Sequence, residues 1–600
     1  MELFRTKLKT MSNHQREKLA IAVRRFLLKH VSQTGGHLSS SLGATDAIVA
    51  LHSVFDTDRD KIFFDVGHQS YAHKILTGRH KEFSTLRQWN GLSGFPNPAE
   101  STHDPAVAGH ASTSISLALG TARAFCLQQS DGVPIAFIGD GALTGGQAYE
   151  ALCDAGNSGL PMLVVLNDNG MAISRNNGGV AKHLTRLRTR PQYFKMKRAV
   201  HVVTDVMPPI VNRTIRGVKR TIRDSILPTG SLFESLGFTY LGPADGHNIA
   251  EMVALLNHAR DLQRPVLLHL ITRKGKGYLP AELKPASFHG VGAFDIETGR
   301  GTSLGRGESY SDRFGNTLCK LADSNKNLVA ITAAMPDGTG LMPFMQRHPN
   351  RFFDVGIAEP HAVTMAAAMA KQGLRPVVAI YSTFLQRAFD QILHDVALES
   401  LPVVFCVDRA GLVGEDGATH HGAFDVGYLS QVPNMELYAP ASLAELESML
   451  TRILSEEQHN PIAIRYPRGS EGDYKLDLSS NDFMIRPATK AHIAEPTAIV
   501  TYGNMINIAI AAADEIGASI VKLNRLAPLD INAIQNVLPK RFAVIEDVVH
   551  AGSVGEKLAA PLAFNLGNTL PLHGFVAQQH KAAGLDVDSI IAALQEAWQV

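Results

Sequence analysis

Apolar runs bounded by glycine and proline alternate with helix-patterned stretches along all 600 residues. That alternation predicts an α/β protein built of mainly parallel sheets flanked by helices. Two further observations shape the prediction. Asp and Asn stand directly after two of the apolar runs, where open α/β sheets place their ligands. A Gly-dense stretch at 290–307 and a polar one at 470–490 divide the chain into three expected domains, 1–300, 311–475 and 490–600.

The first thirty or so residues carry only one apolar stretch, Leu19-Ala-Ile-Ala-Val23, cut by Arg24 and Arg25. It reads as an amphipathic helix and not as a signal peptide. Pro134-Ile-Ala-Phe-Ile138 and Pro161-Met-Leu-Val-Val-Leu166 read as buried strands. Pro265-Val-Leu-Leu-His-Leu-Ile271 is another, followed by a glycine turn, Lys274-Gly-Lys-Gly-Tyr278. The second region opens with a helix near Ser311 and holds strands over 328–332, 376–380 and 402–407. It closes near Ile464-Arg-Tyr-Pro-Arg-Gly469. Short strands over 498–502, 519–523 and 542–546 mark the third. No short repeat is visible.

Composition narrows the function. A 45% hydrophobic content with 19% charge is ordinary for a globular protein with large cores. The net charge of +1 leaves no electrostatic footprint for nucleic acid, and no apolar run reaches bilayer length. Cys126, Cys153, Cys319 and Cys406 lack metal-type spacing, and Cys406 reads as a buried free thiol. A reducing, cytoplasmic setting is expected. The Lys/Arg-rich segment 181–223 reads as a solvated, mobile excursion in preference to a binding arm, because the overall charge is balanced.

The chemistry begins with two segments, Gly139-Asp140-Gly141-Ala142 and Asn167-Asp168-Asn169. Asp and Asn oxygens suit Mg²⁺, and backbone N–H groups beside Gly139 and Gly141 can approach a phosphate closely. The expectation is a diphosphate held through a metal ion. No G-x-x-x-x-G-K-[ST] occurs, and Thr144 stands where the third Gly of G-x-G-x-x-G belongs. Together the two segments resemble the signature of thiamine diphosphate enzymes. Activation of that cofactor needs a carboxylate from another region, and Arg351-Phe-Phe-Asp-Val-Gly-Ile-Ala-Glu359 offers one. Glu359 ends an apolar run, so desolvation should raise its pKa. Its plainer reading is an ordinary Glu at a helix N-terminus.

Longer stretches carry a closer resemblance. They include His37-Leu-Ser-Ser-Ser-Leu-Gly43, Asp65-Val-Gly-His-Gln69, Gly91-Leu-Ser-Gly-Phe-Pro96 and Gly109-His-Ala-Ser-Thr-Ser114. The second region adds Tyr381-Ser-Thr-Phe-Leu-Gln-Arg387, Asp408-Arg-Ala-Gly411 and Thr419-His-His-Gly-Ala-Phe-Asp425. In this order, over nearly the whole chain, they resemble the 1-deoxy-D-xylulose-5-phosphate synthases, a thiamine diphosphate-dependent, transketolase-like family. The resemblance implies a homodimer acting on pyruvate and D-glyceraldehyde 3-phosphate, with no nucleic acid and no membrane partner. It implies Mg²⁺ on Asp140, Asn169 and the Met171 carbonyl. His68, Gly109, His110, Ala111, Gly141, Ala142, Asn169 and Tyr278 would line the cofactor, with Glu359 activating it and Phe384 stacking on it. The working site would lie between two domains. His37, His68, His289 and His420 are the acid–base candidates. Tyr381, Arg409, Asp416, His420, Arg465 and Arg468 would bind substrate, since arginine suits a phosphate dianion. The competing reading of the arginines is a structural ion pair.

Four positions depart from the family pattern. Pro360, His421, Gly170 and Ala111 stand where the family has Gln, Gln, an acidic residue and Ser. Pro360 is tolerable in a first helical turn, though it could tilt the helix entry. Transketolase, a 2-oxo acid dehydrogenase E1 subunit and a non-catalytic thiamine-binding paralogue are the alternatives.

Overall fold

The computed structural model describes residues 7–171, 179, 184–185, 232–302, 307–489 and 495–599. The basic segment 181–223 lies outside the described residues, save 184 and 185. The chain falls into two compact units. One comprises Met1–Ser84 and Phe95–Gly301, the other Thr85–Gly94 and Thr302–Val600.

The first unit is built on one parallel sheet. Its strands are β1 (Lys61–Phe64), β2 (Pro134–Gly139), β3 (Met162–Asp168), β4 (Thr239–Asp245) and β5 (Pro265–Ile271), in the order β1-β2-β3-β5-β4. β5 has the expected bounds, and β2 and β3 extend past the expected ends to include Gly139 and Asp168. Ile135, Phe137, Ile138, Val164, Val165 and Leu166 are fully buried, as central strands covered on both faces require. β1 and β4 escape the sequence pattern: one is four residues long, and Gly242-Pro243 interrupts the other. The expected N-terminal helix spans Asn13–Thr34 and opens on a Ser12/Gln15 capping box.

In the second unit a seven-stranded sheet holds β6 (Leu328–Thr332), β7 (Phe352–Asp354), β8 (Arg375–Tyr381), β9 (Val404–Ala410), β10 (Glu436–Tyr438), β11 (Ile462–Pro467) and β15 (Arg525–Ala527). Its order is β15-β10-β11-β9-β8-β6-β7, parallel except for β15. A five-stranded sheet holds β12 (Phe483–Arg486), β13 (Thr497–Tyr502), β14 (Ser519–Leu523), β16 (Arg541–Ile545) and β17 (Leu562–Phe564). Its order is β12-β14-β13-β16-β17.

One expectation needs correction. The stretch read as a linker at 470–490 contains β12, which pairs antiparallel with β14 at the sheet edge. An edge strand with half-exposed side chains shows no buried apolar run to the reader of a sequence. The segment 464–469, read as the close of its region, coincides with the end of β11, an interior strand. The two sheets also share a core: Ile331, Leu437 and Phe405 belong to one buried cluster with Val500, Val521, Ile534 and Val544. Common burial makes the region from 302 onward a single unit.

Among the described residues no helix is long and apolar enough to cross a membrane. Cys406 is fully buried and Cys319 buried, Cys126 and Cys153 are exposed, and all four are free.

Candidate functional site

The carboxyl ends of β2 and β3 bring the two chemistry-bearing segments side by side. The Gly170 N–H donates to Asp140 Oδ2 at 2.8 Å and to Asp168 Oδ1 at 3.2 Å. The Met171 N–H donates to Asn169 Oδ1 at 3.1 Å, an Asx turn. Tertiary contacts separate the three residues of Asn167-Asp168-Asn169. Thr272 Oγ1 donates to Asn167 Oδ1 at 2.6 Å, and His269 Nε2 lies 2.9 Å from Asp168 Oδ2. Asn167 and Asp168 therefore serve the scaffold, and Asn169 remains at the loop beside Asp140. Gly170 has φ +77°, a left-handed conformation that glycine adopts without a Cβ clash, so its departure from an acidic residue fits the turn.

The cradle suits an anion and a hard cation. Among the described residues no protein atom lies within 4 Å of where a Cβ at Gly139 would project, so the loop faces open space. Asp140 is 2% exposed. Lys274 is buried as well; burial pushes its pKa down to about 8, against the pull of Asp140. The predicted glycine turn positions it: Gly275 has φ +78°, and its N–H donates to Ser39 O at 2.7 Å. Sequence reasoning did not single out Lys274, although a lysine opening the glycine turn after a buried strand was the available signal. Among the described residues no cluster of three His, Cys, Asp or Glu forms a metal site. The set expected for Mg²⁺ is instead one carboxylate, one amide and one main-chain carbonyl, all oxygen donors.

Three histidines distant in sequence converge in this unit. Ring centroids lie 6.0 Å apart for His37 and His68, 5.8 Å for His37 and His289, and 5.0 Å for His68 and His289. Burial, with Lys274 and the neighbouring imidazoles adding to it, holds His68 and His289 well below the usual histidine range. Both are thus neutral near pH 7, each able to donate or accept a proton. Gly109 and Ala111 are buried and His110 is half-buried on the loop before the helix Ser114–Leu127. Ala142 is buried at the start of the turn after Gly141, and the Tyr278 hydroxyl donates to Ile296 O at 2.8 Å.

The second unit carries the candidate activating carboxylate. Glu359 opens the helix Glu359–Lys371 and is 3% exposed. Burial raises its pKa, as expected, although the Arg387 guanidinium opposes that from 3.2 Å. Pro360 falls in the first turn, where the missing N–H costs no helical bond. At the end of β8, Tyr381 and Phe384 are stacked at 5.8 Å and 10°. The Arg409 guanidinium sits 4.1 Å over the Tyr381 ring, and His420 meets Phe384 edge-on at 5.6 Å. Tyr381, Phe384, Arg409 and His420 thus form one cluster.

The remaining candidates divide by environment. Arg465 is 4% exposed; its Nε donates to Asp425 at 3.1 Å and its Nη2 lies 3.9 Å from Asp547. This is the structural ion pair named above as the competing reading. Arg468, half-buried, donates from Nη1 to Val413 O and to Glu415, and lies 3.8 Å from Asp416. Asp416 pairs with Arg87 at 2.9 Å. Arg87 comes from the short segment Thr85–Gly94 that groups with this unit, a partner that sequence reasoning missed.

The 1-deoxy-D-xylulose-5-phosphate synthase family model matches residues 4–272, and the transketolase pyrimidine-binding domain matches 307–472. A 1-deoxy-D-xylulose-5-phosphate synthase from Pelotomaculum thermopropionicum is 45% identical over 98% of this chain and 95% of its own. That of Syntrophomonas wolfei is 46% identical over the same shares, 98% and 95%. The chain belongs to the 1-deoxy-D-xylulose-5-phosphate synthase family. Its α/β architecture is the transketolase-like one of that family.

Within the family frame, the departure at His421 has a visible use. His421 is 1% exposed, donates from Nε2 to Pro571 O at 3.0 Å, and accepts the Val413 N–H on Nδ1 at 3.2 Å. Burial lowers its pKa to about 4. The unfolded chain therefore takes up the proton first, so this stability is complete above about pH 6.5 and is lost as pH falls toward about 4. His421→Gln, which keeps a donor and an acceptor, should remove that acid sensitivity. The stability difference between the two proteins should change by about 3 kcal/mol between neutral pH and pH ~4. Urea unfolding at both pH values would measure it, and a pH-independent difference would contradict the assignment.

Proposed function

We propose that this protein catalyses the decarboxylating condensation of pyruvate with D-glyceraldehyde 3-phosphate to 1-deoxy-D-xylulose 5-phosphate and CO₂. The observation that carries the reading is the end-to-end match to synthases at 45–46% identity, with Asp140, Asn169 and Glu359 all present. Thiamine diphosphate, when bound, supplies the carbon nucleophile and the electron sink for decarboxylation. Asp140, Asn169 and the Met171 carbonyl would hold Mg²⁺ and, through it, the diphosphate. His68, Gly109, His110, Ala111, Gly141, Ala142 and Tyr278 would line the cofactor. Glu359 would engage its pyrimidine and Phe384 its ring face.

His37, His68 and His289 would move protons; of these, His68 and His289 are held neutral by burial beside Lys274. His420 would act on the second substrate. Arg409 and Arg468 would hold the aldehyde's phosphate, with Tyr381 and Asp416 orienting it. Arg465, which donates to Asp425, would serve as a structural ion pair in place of a phosphate ligand. The three regions would be a diphosphate-binding, a pyrimidine-binding and a C-terminal domain, in a cytoplasmic homodimer.

Product analysis with pyruvate and glyceraldehyde 3-phosphate tests the reading. 1-Deoxy-D-xylulose 5-phosphate and CO₂ should form in equal amounts, and only with both Mg²⁺ and thiamine diphosphate present. Absence of CO₂ release under those conditions would overturn it.

A further inference from the structure

The sequence stretch Asp65-Val-Gly-His-Gln69 contributes His68 to the candidate site, but its first residue has no role so far. Asp65 follows β1 directly and is 1% exposed. Its Oδ1 accepts the Ser112 N–H at 2.7 Å and its Oδ2 the Ser114 N–H at 3.0 Å. One carboxylate thus holds both the loop at 109–114 and the first residue of the helix Ser114–Leu127. Ser112 then reaches a third segment, for its Oγ donates to Ala142 O at 2.7 Å. The turns bearing His68, His110 and Asp140 are joined through these two residues.

The backbone at the junction is strained. The Gly67 N–H donates to Asp65 O at 2.6 Å, closing a three-residue turn around Val66. Val66 has φ +58°, a region that β-branched residues seldom enter. Ser112 has φ +74°. Such conformations cost about 1–3 kcal/mol each and persist where the surroundings over-determine them. A Cβ at Gly67 would lie 2.4 Å from Pro96 Cδ and 3.0 Å from Ala108, so the two segments also pack closely. Gln69 Nε2 donates to Asp65 O at 3.1 Å and Ser41 Oγ donates to His68 O at 3.0 Å, fixing the rest of the turn.

We propose that Asp65 is a positioning residue for the cofactor: its carboxylate clamps the loop at 109–114, and through Ser112 the Gly139–Ala142 turn, into the conformation that receives the diphosphate. The inference rests on the thiamine diphosphate reading above.

Calorimetric titration of the full-length apoprotein with thiamine diphosphate and Mg²⁺ tests it without relying on turnover. Asp65→Asn removes one acceptor and should weaken cofactor binding roughly 10- to 100-fold, the cost of a lost charge-assisted bond. Ser112→Ala keeps the N–H to Asp65 and removes only the tie to Ala142, so roughly 10-fold weakening is expected. Combining the two should give less than the product of the single effects, because both act through one junction. A merely structural role would lower the apoprotein's melting temperature in proportion and give independent effects. Wild-type cofactor affinity in Asp65→Asn would overturn the proposal, as would multiplicative effects in the double variant. Should Asp65→Asn fail to fold, unchanged affinity in Ser112→Ala overturns it and the expected weakening supports it. Failure of the wild-type protein to bind the cofactor would instead overturn the thiamine diphosphate reading, and this inference with it.

Discussion

Glu359→Gln should lower turnover roughly 10²- to 10⁴-fold, the range over which a positioned proton-transfer group contributes. The protein should remain folded. The side chain is 3% exposed at the first position of its helix, and burial raises its pKa against the opposing Arg387. Gln keeps the shape and an oxygen for the Arg387 N–H, and removes the charge. A carboxyl whose folded pKa is raised stabilises below its unfolded pKa, and that contribution is lost as pH rises through the folded value. At neutral pH the ionised side chain is therefore the costly form. The Gln variant should melt at or above the wild-type temperature there, with its advantage shrinking in acid. Thermal melts at two pH values, beside steady-state rates, separate catalytic loss from unfolding. Normal turnover in the variant would remove Glu359 from the proposed role.

Arg409→Ala should reduce kcat/KM for the phosphorylated aldehyde by roughly 10- to 100-fold, since a charge-assisted bond contributes about 1.5–3 kcal/mol. Its guanidinium is stacked 4.1 Å over Tyr381, and its Nη2 lies 3.4 Å from Gly338 O. The stack pre-orients the planar fork, so lysine should not rescue the loss. Unphosphorylated D-glyceraldehyde is the control, because it lacks the group that Arg409 would bind. An equal loss with both aldehydes would mean that the variant disturbs Tyr381 packing and not a phosphate clamp.

The site was legible in the sequence to different depths. Asp140 and Asn169 were readable because each follows a buried apolar run, and a strand end is a local event. The desolvation of Glu359 was readable for the same reason. The division within Asn167-Asp168-Asn169 was not. Thr272 and His269, which take the first two residues into the scaffold, lie more than a hundred positions away in the chain. Lys274 was visible as a residue but not as a buried cation, because burial is set by packing from elsewhere. The commitment of Arg465 depends on Asp425 and Asp547, the latter from the C-terminal region. Strand β12 was missed because an edge strand with half-exposed side chains has no apolar signature.

The sequence by itself determined the α/β class, the buried strands it placed at 161–166 and 265–271, and the family. It also marked the loops where oxygen donors and glycines coincide. These are properties of contiguous residues, and strand period and turn chemistry are written at that range. Only the tertiary structure brought His37, His68 and His289 within 6.0 Å of one another, and only it joined the two later sheets through one core. It alone showed Asp65 spanning the Ser112 and Ser114 N–H groups. Which polar groups remain for chemistry depends on which ones folding has already used, and that is decided by long-range burial and pairing.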